Sequence, residues 1–442
     1  MRIVQESGDR MFNKCKKVLA IVLVAIIALT GCSSGAGGSS NNDIELRISW
    51  WGGDSRHETT MEAISRFEEK YPHIKVSSEY SGFDGYQEKV TIQVGGGTEP
   101  DIMQLNWSWL NILSPDGSQF LDLESMATLN LSDNFSDFEL ESGRINGILN
   151  AVPVGTTGGV LYLNKTTYDA FGVDIPETWD DYFAAAEQFD DGYYPLDLDL
   201  KNNRVWMLIV SWLQQEYGKP LIKEDNSEVG FTIEEIASGF EFYAELVDAG
   251  VVPSIEERAG QGNVELFEMP AYIDGRYAGV YEWTSSASKY AAPLEETNQE
   301  LVLANFPTSE DALSSGIISK PSLLWGISKN SKHPEEAALL LDFLLNDKEA
   351  ASIMGLERGI PSSKAALEVL EEDGLLESGL EVDGTEFVKD NIDFQTSPYY
   401  EDANLQSTYR QVTESFGYGR INAEEAAKQI FDAITDKLKS VQ

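Results

Sequence analysis

The 442-residue sequence predicts an α/β protein built as two lobes. Segments with strand-like alternation take turns with segments of helical spacing, joined by short turns, which is the pattern of a parallel sheet with crossover helices. About 400 residues follow a short leader, too many for one small core. Hydrophobic residues make up 42% of the chain, with nine Trp, eighteen Tyr and nineteen Phe, enough apolar surface for a folded body.

The leader comes first. Met11 to Cys32 reads MFNKCKKVLAIVLVAIIALTGC, with Lys14, Lys16 and Lys17 before an apolar run from Val18 to Leu29 and small residues before the cysteine. That run is short of the roughly 20 residues that span a bilayer. Leu29-Thr30-Gly31-Cys32 resembles the bacterial lipobox, which implies removal of residues 1–31 and lipidation of Cys32 through a diacylglycerol thioether, with palmitate as the added acyl chain. Met11 is as plausible a start as Met1. Ser33 to Asp43, SSGAGGSSNND, completes a flexible tether over residues 32–43.

Charge then limits the partners. The chain carries −42; residues 1–31 hold five basic and two acidic groups, or +3, so the remainder carries −45. Such a field repels nucleic acid and anionic lipid, and serves first to keep a surface solvated. A site for an anion therefore needs its own arginine or lysine. The only cysteines, Cys15 and Cys32, sit in the leader, so the body is held by its core without disulfides.

Along the body, Ile44 to Trp50 alternates as a half-buried strand. Glu58 to Lys70 places Met61, Ile64 and Phe67 at helical spacing, and Tyr71-Pro72 ends it. His73 to Tyr80 reads as a second strand, Tyr86 to Val94 as a helix closed by Gly95-Gly96-Gly97, and Pro100 to Gln104 as a third strand. The same alternation resumes with strands at Val160–Asn164, Tyr277–Glu282 and Leu323–Ser328. Thr178 with Asp181 reads as a capping box, Phe231 to Asp248 as an acidic amphipathic helix, and Pro334 to Asn346 as a helix opened by proline. No repeat of solenoid period is visible.

Taken in order, WWGGDSRHETTMEAISRFEEKYPHIKV, GGGTEPDIMQ, VPVGTTGGVLYLNKTTYDAFGVDIPETWDD, MPAYIDGRYAGVYEW and LWGISKNSKHPEEAALLLDFLL resemble successive blocks of the family 1 extracellular solute-binding proteins of sugar-importing ABC transporters. The match runs through about 300 residues. Its N-terminal pattern is most similar to binders of oligosaccharides, including pectin-derived oligogalacturonides. The resemblance implies a two-lobed periplasmic-binding-protein-like fold of type II with the ligand in the interlobe cleft. Lobe 1 would hold 43–152 plus 305–355, and lobe 2 would hold 153–304 plus 356–442. It further implies hinge closure on an oligosaccharide, neutral or uronate-containing. Delivery to permease subunits, a monomer, and a place on the outer face of the bacterial membrane through the lipid on Cys32 follow from the same likeness, with no enzymatic activity and no cofactor.

Sugar recognition needs flat aromatic faces and planar polar groups that donate and accept. SWWGGDSRHETT, on a strand-to-helix turn, offers several. Strand alternation sends Trp50 and Trp51 to opposite faces, and Trp51 is taken for the cleft. Arg56 is a candidate for bidentate bonds to hydroxyls or a uronate, against a surface ion pair. Asp54 is either a contact or a helix N-cap. The next turn, MQLNWSWL, offers Gln104, Asn106 and Trp107, with Trp109 as contact or packing. Thr156 and Thr157 are hinge or ligand residues. YEWTSS offers Tyr281, Glu282 and Trp283 from lobe 2. GLERGIPSS resembles a family block near the cleft, which makes Arg358 a candidate. Lys320 is a further source of positive charge for an acidic sugar. Trp206, Trp212 and Trp325 read as core.

Enzyme motifs fall short. His57-Glu58 lacks the second histidine of HExxH, GGGTEP lacks the Lys-Ser/Thr of a P-loop, and there is no GxSxG. His73 and His333 read as turn residues. Two alternatives remain: a glycosidase carboxylate pair among the 74 acidic residues, and a structural or adhesive surface lipoprotein with no small ligand.

Overall fold

The computed structural model describes residues 43–83, 85–260, 264–394 and 396–441. The leader and Cys32 lie outside the described residues, as does nearly all of the tether. Strand β1 (Ile44–Trp51) begins with the expected alternation, but from Ile48 onward every residue is buried. That double-sided burial follows from its central place, parallel to β2 (Ile74–Ser81) on one side and to β3 (Ile102–Leu105) on the other.

The helix after β1 starts at Asp54, one turn earlier than the apolar spacing indicates, and runs to Lys70. Its cap is Gly53, with no side-chain hydrogen bond, so Asp54 is not the N-cap but a first-turn acid favoured by the helix dipole. Ala63, Ile64 and Phe67 form its buried face. Gly52 is required where it stands: a Cβ there would lie 2.5 Å from Cδ of Arg56, which folds back over the strand end. The helix Tyr86–Gly96 ends on Gly97 in the left-handed region, as the glycine run suggests.

Short strands β4 (Arg144–Ile145) and β5 (Ile148–Leu149) form a hairpin. They lead into β6 (Ala151–Pro153) and β7 (Thr156–Asn164). Later come β8 (Gly279–Trp283), β9 (Leu301–Ala304), β10 (Ser319–Pro321) and β11 (Leu324–Ile327). The first sheet has the order β2-β1-β3-β11-β6. The second centres on β7, which pairs with β8, β9 and β10, every pair antiparallel. The renewed alternation after Asn164 thus does not continue a parallel sheet. Periodicity reports which face is buried and carries no information on strand direction.

Each sheet has its own core. One gathers apolar residues from 46–154 and 323–350, the other from 160–318 and 388–438. The chain passes between them three times, and the first two passages run side by side: Leu324 pairs with Pro153, and Pro321 with Thr156. Between these pairs the Val154 amide donates to Leu323 and the Ser322 amide to Gly155. A third segment presses on the crossing, since a Cβ on Gly155 would lie 2.2 Å from the Ile360 carbonyl oxygen.

Local readings elsewhere hold. Thr178 and Asp181 form the capping box, and Thr232 caps the helix Ile233–Asp248 with Glu235. Pro334–Asn346 is helical as expected. Trp206 and Trp325 are core, while Trp212 is half-buried and stacks on Phe242 at 4.6 Å. Among the described residues no helix is long and apolar enough to cross a membrane.

Candidate ligand-binding cleft

The end of β1, the start of the helix Asp54–Lys70 and the loop after the helix Lys348–Met354 meet at a cavity of about 630 Å³. Trp51, Arg56, Glu357 and Arg358 line it from the first sheet's side; Ser285, Ser288 and Glu381 reach it from elements packed on the second. Trp50 is fully buried and donates from its indole nitrogen to Nδ1 of His57 at 3.0 Å, which occupies that histidine. Trp51 is 7% exposed, stands in the cavity wall and packs on Trp109 at 5.0 Å and Phe83 at 5.7 Å.

The two arginines are held by neutral groups. Arg56 donates from Nε and Nη2 to the Glu357 carbonyl at 2.9 and 2.6 Å. Arg358 donates from Nε to Oε1 of Gln104 at 3.0 Å and from Nη2 to the Thr60 hydroxyl at 2.9 Å. Its guanidinium carbon sits 5.5 Å from the Trp325 ring. Burial lowers the pKa of Arg358 to about 9, helped by repulsion from Arg56, and burial also lowers that of Arg56 against the pull of Glu357. Both remain cationic at neutral pH. Neither has a carboxylate ion-pair partner among the described residues, although a buried cation is costly until an anion or dipoles compensate it.

Glu357 and Glu381 are the cavity's acids. The Glu357 carboxylate accepts from the Ser55 hydroxyl. Burial, then the charge of Glu357, raises Glu381 to about 7.

Among the sequence candidates, the structure brings together Trp51, Arg56 and Arg358. Gln104 stands behind them, fully buried, its amide nitrogen donating to the Trp51 carbonyl at 3.2 Å while its oxygen holds Arg358. Asn106 caps the helix Trp107–Leu113 and does not line the cavity. Trp107 faces a smaller pocket with Lys320 and Thr156.

Tyr281 and Glu282 are interior residues rather than cavity walls: as neighbours on β8 they point to opposite faces of the sheet, and both faces are covered. Tyr281 bonds Ser211 at 2.8 Å. Glu282 pairs with buried Arg204 and accepts from the Tyr290 hydroxyl at 2.9 Å. Trp283 is half-buried, its ring 4.6 Å from Nζ of Lys320, itself paired with Glu401. Thr157 contacts the hydroxyls of Thr284 and Ser285, at the crossing rather than in the cavity wall.

Glu357, Glu381, Ser285 and Ser288 were not singled out by the sequence. Glu357 adjoins Arg358 in GLERG and could have been found with it; Glu381 lies in the acidic run EEDGLLESGLEVDG, which looks like plain surface.

Comparison with known proteins fits this arrangement. Residues 53–351 match the family profile of the bacterial extracellular solute-binding proteins. The chain belongs to that family. This solute-binding protein is similar to a periplasmic oligogalacturonide binding protein from Yersinia enterocolitica, solved in complex with saturated digalacturonic acid. The two are 36% identical with a TM-score of 0.81, over 90% of this chain and 99% of that one. A periplasmic solute binding protein from Pectobacterium atrosepticum is 33% identical with a TM-score of 0.84, over 90% and 99%. An uncharacterised ABC transporter extracellular-binding protein from Pyrococcus horikoshii is 24% identical over 66% of this chain and 72% of its own. The two-domain α/β fold of periplasmic solute-binding proteins is therefore the fold of this solute-binding protein.

Proposed function

We propose that this protein captures a uronate-containing oligosaccharide outside the cell and hands it to the permease subunits of an ABC importer by closing two lobes around it. The observation that carries the reading is the pair of guanidiniums, Arg56 and Arg358, at one cavity wall with neutral partners in a chain of strong negative charge. A sugar carboxylate would bond the guanidiniums directly through charge-assisted bonds, which neither Glu357 nor Glu381 does with its carboxylate, and Trp51 would lie under the apolar face of a ring. The 36% identical relative solved with digalacturonic acid supports the same ligand class.

In this reading each sheet with its core is one lobe, so 305–321, with Phe306, Ile317 and Ile318 in the second core and β10 on β7, goes with lobe 2 and not with the expected lobe 1, and the paired crossings at Pro153–Thr156 and Pro321–Leu324 are the hinge. The protein acts as a monomer, tethered through lipidated Cys32 and leaving its ligand chemically unchanged. Mass spectrometry of the membrane-extracted protein tests the anchor: an acylated Cys32 at the N-terminus is expected, and an unmodified start upstream of it contradicts the anchor.

One observation favours a second reading. Glu357 and Glu381 share the cavity, and a pair of carboxyls, one of them raised by burial, is the kind of arrangement a glycosidase acid and its partner need. Incubation with oligogalacturonides followed by chromatography separates the two. Intact sugar with a raised melting temperature supports capture, and shortened sugar supports hydrolysis.

A further inference from the structure

Glu381 is the cavity residue whose role is least explained by packing. It stands in the first turn of the helix Leu380–Asn391 and lines the same cavity as the arginines. Its Oε1 lies 3.8 Å from the point where a Cβ on Gly359 would sit, directly after Arg358 in the chain. Among the described residues its carboxyl makes no hydrogen bond and no ion pair within 4 Å.

We infer that Glu381 is a specificity-determining residue that, when protonated, donates a hydrogen bond to the sugar carboxylate held by Arg56 and Arg358, so that binding an acidic sugar takes up one proton. The inference rests on the uronate reading above.

Charge balance carries the argument. With Glu357 and Glu381 both ionised, the cavity's two carboxylates cancel its two guanidiniums, and an entering uronate leaves it one charge negative. With Glu381 neutral, the cavity is one charge positive, and the uronate brings it to zero. In a partly buried site that difference is much larger than in water. A carboxylic acid beside a carboxylate is also a donor where a second carboxylate would repel. The proton comes from solvent, since the sugar carboxylate, like other carboxylates, is ionised well above pH 4.

The surroundings of Glu381 agree. It shares the cavity with Glu357, Arg56 and Arg358, and the charge of Glu357 acts on it. From the elements packed on its helix, β7 presents Tyr162, whose hydroxyl donates to the Leu380 carbonyl, and the helix Ala287–Glu295 presents Tyr290, Lys289 and Glu295. Tyr290 is bonded to Glu282, and the Lys289 ammonium lies over the Phe267 ring at 4.3 Å. Strand β9 and residues 284–286 carry no charge. Asp383 on the same helix adds to the negative field. The raised pKa of Glu381 places the proton exchange near neutrality.

Calorimetric titration with digalacturonate at about pH 5.5 and about pH 8.5, each in two buffers of different ionisation enthalpy, tests this. The wild type is expected to bind roughly 10-fold tighter at the lower pH and to take up a proton at the higher one, whereas galactobiose shows neither effect. Glu381→Gln, a permanent donor, is expected to bind with similar affinity at both pH values. Equal wild-type affinity without proton uptake overturns the inference, as does a pH dependence that survives in Glu381→Gln. The proton count needs no variant, so a misfolded Glu381→Gln leaves the test intact. Absence of digalacturonate binding at every pH is a separate result that removes the uronate reading and this inference with it.

Discussion

The Nε of Arg358 and Oε1 of Gln104 are joined by a 3.0 Å hydrogen bond between residues 254 positions apart in the chain. Gln104 stands next to the last residue of β3, while Arg358 follows the helix Lys348–Met354, so the bond fixes the arginine against the end of a central strand. The amide does this without a charge of its own and leaves the guanidinium's field for a ligand.

Replacing Gln104 by Leu keeps the volume and removes the acceptor. We expect a loss of about 2–3 kcal/mol, the range for orphaning a charged buried donor. Urea denaturation with and without digalacturonate measures it, and a change below about 0.5 kcal/mol would show that Arg358 does not depend on this amide.

Glu282 has a structural part. It is buried against Arg204, and its oxygens also accept from the Trp283 amide and the Tyr290 hydroxyl. Glu282→Ala strands the arginine, and we expect a loss of about 3–5 kcal/mol. Sugar affinity of the folded fraction should stay within about 3-fold, that is, within about 0.7 kcal/mol. A large affinity loss with unchanged stability would return Glu282 to the ligand.

The adjacent tryptophans should separate cleanly. Trp50→Ala empties a fully buried site and should cost about 3–5 kcal/mol. Trp51→Phe should be mild in stability yet abolish most of the ligand-induced fluorescence change, since Trp51 lines the cavity. An undiminished change in Trp51→Phe would place the reporting ring elsewhere.

Stability should follow the Glu381 proton. Burial raises this group to about 7, above its unfolded value near 4.3, despite its place in the first turn of a helix. The folded form therefore holds the extra proton between these values. Its contribution is complete below the unfolded value and is lost as pH rises through about 7. After allowance for partial exposure the effect is on the order of 2 kcal/mol. Chemical denaturation of the unliganded protein at mildly acid and mildly alkaline pH should show a smaller decline in Glu381→Gln than in wild type. Identical declines would contradict it.

Much of the first half was legible in the sequence because its signals are local. Alternation in IELRISW, helical spacing in the next segment and the glycine stop after Val94 all report burial and backbone geometry within one element. Strand direction in the second sheet was not legible, since β7 meets its partners only after long helical excursions. The cavity shows the same division. Trp51 and Arg56 lie on one turn whose composition is unusual, so the sequence exposes them. Arg358 became visible through its resemblance to a family block. Glu381 was hidden in an acidic run, because what distinguishes it is the burial and the neighbours that tertiary packing gives it. Tyr281 and Glu282 looked like cleft residues from their place at a strand end, and packing on both faces of the second sheet buries them.

The most direct test of the arginine pair is one set of calorimetric dissociation constants, for digalacturonate and for neutral galactobiose, at low and at raised salt. The paired cations predict digalacturonate binding at least about 100-fold tighter than galactobiose, roughly 2.7 kcal/mol, with an advantage that shrinks as salt rises. Equal or tighter binding of the neutral disaccharide, unaffected by salt, would contradict the assignment of Arg56 and Arg358 to a sugar carboxylate.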